Sequence, residues 1–194
     1  MRKLYRITAQ GIVDTLKSAL TTNARATRIL EKLNLANPKW GSGDRNTVHK
    51  ATYDILRWKS YYTFLVNQKE DASEKEVHWG LLGVWLVLNE LEVPDWEEFK
   101  NIDAKEIKAR QKEKTTPEVS KSLPLWLYEK GKAELSKEWN IELDALNLEA
   151  KLILRVNRIV ISPKKLQEEL LTKSCSISHH GNYAAYAFNV DSKF

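Results

Sequence analysis

Leu123-Pro-Leu-Trp-Leu127, Ala145-Leu-Asn147 and Leu152-Ile-Leu-Arg-Val-Asn157 mark the place where this chain changes its period. Ahead of them the apolar residues recur at helical spacing. From Leu152 onward, Leu152, Leu154 and Val156 alternate with Ile153, Arg155 and Asn157, which is the two-residue period of a strand with one apolar face. Ser162-Pro163 then opens a helix, because Ser can accept from the first free N–H groups and Pro has no N–H to lose at the first helical position. The pattern predicts a mainly α chain: a helical body over 1–120, a helical connection over 121–150, and a small α/β unit over 151–194. Within that unit the expected order is strand 151–160, helix 162–173, and strands 174–179 and 184–190, with Gly181-Asn182 turning between the last two as a hairpin.

These residues also carry a resemblance. Pro124-x-Trp126-Leu127, Ala145-Leu146-Asn147 and Leu154-Arg155-Val156-Asn157, with the helix holding Leu166 and Leu170 behind them, resemble the region ahead of the catalytic domain in the Sun/Fmu family of RNA (cytosine-5) methyltransferases. Asp44-Arg45 followed by Ile55-Leu56-Arg57-Trp58 is similar to a helix of that family's N-terminal domain, which has the fold of the antitermination factor NusB. The resemblance implies a NusB-like helical bundle, an RNA substrate, ribosomal RNA above all, and S-adenosylmethionine as the cofactor of the parent protein. It also implies a catalytic domain following in cis, for which the chain stopping at Phe194, soon after an apparent strand, reads as truncation.

Composition bounds the possibilities. The chain has 194 residues, 42% hydrophobic and 29% charged, enough for one or two domains with a real core. Its longest apolar run, Trp79 to Leu88, falls well short of the ~20 residues of a membrane span and reads as a buried helix. Ser73-x-x-Glu76 just before it is a capping box. No membrane is expected as partner. The single Cys175 excludes an internal disulfide and points to a reducing, cytoplasmic compartment.

The net charge of +5 is unevenly spread. Residues 1–65 hold twelve Lys/Arg against four Asp/Glu, whereas residues 66–104 hold three against ten. A basic third beside an acidic stretch suits a face that meets phosphate. On the helices of that third, Arg25 and Arg28 lie on the polar side of the segment with Ala26, Ile29, Leu30 and Leu33, which Asn23 is placed to cap. Arg45, His49 and Arg57 lie on the next helix, predicted to run from Asp44 through Trp58 to Phe64. These five are the candidate RNA-binding residues. Arg155 and Asn157, on the polar side of the first strand, are candidates for a contact with RNA or with the catalytic domain. Gly11 is a weak point in the first helix, Trp40-Gly-Ser-Gly reads as a flexible loop, and Leu123 to Leu127 is expected to re-enter the core.

Nothing in the chain reads as catalytic. The resembled family uses a glycine-rich cofactor turn and two cysteines, and no strand here leads into such a turn. Cys175 is expected to be a small buried hydrophobe in a strand. His78, and the pair His179-His180, lack further ligands at metal spacing. Neither a cofactor nor a metal is expected in this chain. The reading is an RNA-binding, substrate-positioning part of a methyltransferase. The alternative is a stand-alone NusB-like factor binding RNA or protein, which would have no use for residues 145–194.

Overall fold

The computed structural model describes residues 4–22, 24–66, 72–148, 152–173, 175–179 and 187–191. Two compact units emerge, Met1–Trp139 and Asn140–Phe194.

The first unit is built on α5 (Glu74–Leu88), in which every residue from His78 to Val87 is buried. Such a helix has no solvent face and must be enclosed. Its start is fixed by the capping box: the Ser73 N–H donates to Glu76 Oε2 at 2.8 Å, and the Glu76 N–H donates to Ser73 Oγ at 3.3 Å. Packed on α5 are α1 (Arg6–Thr22), α3 (Ser42–Arg57), α4 (Lys59–Val66) and α6 (Ala104–Arg110), while α2 (Ala26–Ala36) lies against α1 and α3. A 3₁₀ turn at Glu97–Phe99 closes one side. There Trp79, Trp96 and Phe99 form an aromatic cluster with ring centroids 5.3 to 6.3 Å apart. Arg6 lies 5.2 Å over the Trp96 ring and donates to Glu98 at 2.6 Å, tying α1 to this turn. The short α7 (Pro117–Ser120) and α8 (Leu125–Leu135) complete the unit.

Several expectations are corrected here. The third helix is not continuous to Phe64: it ends at Arg57, and α4 starts afresh at Lys59. Helix α2 starts with Arg25 in an extended conformation and without a side-chain cap; Asn23 lies outside the described residues. Trp40 is no flexible loop residue but is only 8% exposed. Gly11 is the reason it fits, since a Cβ there would stand 2.9 Å from the tip of the Trp40 ring. The apparent weak point in α1 is thus a packing requirement. Leu123–Leu127 does not re-enter the core, because α8 buries only Gly131 and leaves Leu125 and Trp126 exposed. In α9 (Trp139–Leu146), Trp139 and Leu143 are buried at a spacing of one helical turn; Ile141, off that face, and Leu146, at the end of the helix, are exposed.

In the second unit, β1 (Leu152–Arg155), α10 (Pro163–Thr172), β2 (Ser176–His179) and β3 (Ala187–Asp191) follow in the expected strand–helix–strand–strand order. The fold is therefore mainly α with a small mixed unit. The sheet order is β1-β3-β2, with Leu152 opposite Val190 and Ser176 opposite Asp191, both pairings antiparallel. β1 and β2 consequently run in the same direction with β3 between them, a split β-α-β arrangement of the ferredoxin-like kind. Ser162 caps α10 as expected, its Oγ accepting from the Lys165 N–H. The alternation in β1 holds: Val156 is buried, Leu154 half-buried, and Ile153, Arg155 and Asn157 exposed. The strand itself stops at Arg155, however, because Asn157 turns the chain. Its side-chain oxygen accepts from the Ile159 N–H at 3.1 Å and its carbonyl accepts from Val160 and Ile161. Cys175 precedes β2 rather than lying in it, and is half-buried. Gly181-Asn182 and His180 lie outside the described residues.

Candidate nucleic-acid interface

The five candidates of the helical unit sit on α3 and at the start of α2, and the structure sorts them into two groups. Thr27, Leu30 and Asn34 recur at helical spacing on one side of α2. Thr27 meets the Tyr53 hydroxyl of α3 at 3.1 Å, Asn34 meets His49 Nε2 at 2.9 Å, and Leu30 is buried. This seam occupies His49, which is half-buried between the two helices. Arg45 lies one helical turn before His49 on α3 and is also half-buried, with its Nε shielded from solvent.

Arg57 is drawn in most strongly. Its Nη1 donates to the carbonyls of Lys121 at 3.2 Å and Ser122 at 3.1 Å, and its guanidinium lies 4.8 Å over the Trp58 ring. Burial pulls its pKa down from the ordinary value, though a guanidinium stays protonated throughout the working range. The Ser60 N–H donates to Ser122 Oγ at 3.0 Å beside it. Arg57 is therefore a latch between the end of α3 and the segment after α7. Sequence gave no signal for this, since the acceptors are backbone carbonyls more than sixty residues away.

Arg25 and Arg28 remain on the surface. Both are exposed, Arg25 at the N-cap and Arg28 in the first turn of α2, which holds no acidic residue. Charge so placed adds to the positive end of the helix dipole and favours an anionic partner. In the second unit Arg155 is exposed at the end of β1, while Asn157, although exposed, spends its side-chain oxygen on the turn. Among the described residues no group of three His, Cys, Asp or Glu is arranged to hold a metal ion, and no helix is long and apolar enough to cross a membrane.

Residues 123–193 match the family model described as "Methyltr_RsmF/B-like, ferredoxin-like domain". This part of the chain is similar to that domain. The split β-α-β order of the second unit agrees with a ferredoxin-like domain. The match also bears out the resemblance to the N-terminal region of Sun/Fmu-type RNA methyltransferases carried by Pro124-x-Trp126-Leu127 and Leu154-Arg155-Val156-Asn157. The crystal structure of PH0851 is similar over 100% of this chain and 50% of that one, with a TM-score of 0.57 and 12% sequence identity. At that identity the likeness is one of fold. The chain spans about half the length of that solved structure. A comparison with curated proteins finds no match.

Proposed function

We propose that this chain is the RNA-binding, substrate-positioning part of an S-adenosylmethionine-dependent RNA (cytosine-5) methyltransferase that acts on ribosomal RNA in the cytoplasm. The observation that carries this reading is the ferredoxin-like domain of RsmF/B-like methyltransferases matched at residues 123–193. The exposed Arg25 and Arg28 at the start of α2 support a phosphate-contacting role for the helical unit. His49 supports that face indirectly by meeting Asn34 of α2, and Arg57 by binding the carbonyls of Lys121 and Ser122.

S-adenosylmethionine is taken here as the cofactor of the parent protein. The cleft of about 230 Å³ at the end of α5 is lined by Val87, Glu90, Leu91, Val93, Ala104 and Lys108, with no glycine-rich turn to admit a nucleoside. In this reading methyl transfer falls to a catalytic domain in cis, and no step of it to these residues.

The test is RNA binding followed by fluorescence anisotropy across a salt series. Neutralising phosphates releases counterions, so affinity should fall steeply with salt. Replacing Arg25 and Arg28 with Glu should weaken binding at least about tenfold and flatten the salt slope by about 1.5, near 0.7–0.9 per contact. Binding indifferent to both salt and these substitutions would overturn the reading.

A further inference from the structure

The charge of residues 136–194 is nearly balanced, with eight Lys/Arg against seven Asp/Glu, yet the balance hides a local extreme. Between positions 151 and 165 stand Lys151, Arg155, Arg158, Lys164 and Lys165 with no acidic residue at all. The fold gathers the last four of these at one corner. Arg155 ends the edge strand β1, Arg158 lies in the turn closed by Asn157, and Lys164 and Lys165 lie in the first turn of α10. All four are exposed. Among the described residues no ion pair joins Arg155, Lys164 or Lys165 to a carboxylate. At the tip of the same corner Ile159 and Val160 are 97% and 78% exposed.

This arrangement works against the stability of the unit that carries it. The first turn of a helix favours acidic side chains, because its free N–H groups carry positive partial charge. Here that turn holds two lysines and no acid, with Arg155 on the approach. Two adjacent β-branched aliphatic side chains are held out in water by a turn that three hydrogen bonds to Asn157 make rigid. Clustered like charge and presented apolar groups both lose stability in the free chain, and both are relieved by one kind of partner: a polyanion with accessible apolar faces.

We infer that the β1–turn–α10 corner is a second RNA-contacting surface, distinct from the α2 face, in which Arg155, Lys164 and Lys165 bind backbone phosphates and Ile159 and Val160 contact unpaired bases or riboses. The inference rests on the RNA-binding reading above and assigns it a further site. Looped or single-stranded RNA is the fitting form, since its bases are splayed and open to apolar contact. Asn157 is a positioning residue in this scheme, shaping the turn without touching RNA.

The arrangement makes an opposite-signed prediction. Replacing Lys164 and Lys165 with Glu puts the preferred charge at the start of α10, so the variant should melt at the same temperature as the parent or higher. Its affinity for a labelled ribosomal RNA stem-loop should nevertheless drop at least about tenfold, and adding Arg155→Glu should bring the loss in salt slope to about 2–3. Replacing Ile159 and Val160 with Ser should lower affinity with the salt slope unchanged, because apolar contacts release no counterions. Glutamine in place of the three cations serves as a milder set should charge reversal disturb folding. If the parent chain binds RNA and loses that binding on Arg25→Glu with Arg28→Glu, while the corner variants keep both affinity and slope, the corner belongs to a protein contact and this inference falls alone. If the parent chain shows no salt-dependent RNA binding, the functional reading falls with it.

Discussion

The two units of this chain hold themselves together by different means. The first encloses a helix whose ten residues His78–Val87 are buried, and surrounds it with aromatic side chains. All seven tryptophans lie within it. The second has a three-stranded sheet and one helix, and α10 buries no residue completely. Leu143 and Val156 are the buried hydrophobics among its described residues. What the described residues of the second unit show is shape set by turns, caps and strand pairing, whereas the first unit is organised around enclosed volume. Substitutions should therefore act through different mechanisms on the two sides.

The largest expected effect is at Trp79, which is 1% exposed at the centre of the aromatic cluster. Trp79→Ala should destabilise the first unit by about 3–5 kcal/mol through lost burial and an unfilled cavity. Tryptophan fluorescence reports that transition alone, since the second unit contains none. A small shift would mean that the first unit is not organised around α5.

In the second unit the informative pair is Asn157 and Arg155. Asn157→Ala removes the acceptor for the Ile159 N–H and should cost about 1 kcal/mol, within the usual range for one hydrogen bond. Arg155→Ala touches only an exposed side chain and should stay within about 0.5 kcal/mol. Far-ultraviolet circular dichroism during urea unfolding separates the two, and equal effects would contradict the turn assigned to Asn157.

The smallest effect is confined to mild acid. Burial holds the His78 imidazole below its ordinary pKa, and Lys59 and Lys17 push it the same way while Glu74 opposes them. The unfolded chain thus takes up the His78 proton first. Its contribution is intact above about pH 6.5 and is lost progressively as pH falls through the folded value. His78→Gln should reduce the loss of stability on going from about pH 7 to about pH 5, measured as the difference between the two urea midpoints.

Local chemistry was what the sequence made legible. Ser73 with Glu76 and Ser162 ahead of α10 both cap where their neighbours said they would. A cap needs only three or four consecutive residues. The alternation of Leu154, Arg155 and Val156 was equally local. What failed to show was anything set by distant partners. Trp40 and Trp126 both stand beside loop-forming residues, yet one fills the space left by Gly11 and the other faces solvent. Arg57 has the spacing of a surface cation and becomes a latch because two carbonyls reach it. The basic corner at 155–165 was written plainly in the sequence but vanished when charge was summed over a longer window.

The strand order has a consequence for how the chain comes to life on the ribosome. β3 is the middle strand of the sheet and the last of the three to be synthesised. Until Ala187–Asp191 emerges, β1 and β2 have no common neighbour and each exposes an unpaired edge. The helical unit, closed by Trp139, has meanwhile had time to fold. Nascent chains stalled before and after residue 191 should accordingly differ in protease resistance only beyond Trp139, with the sheet acquired in a single late step.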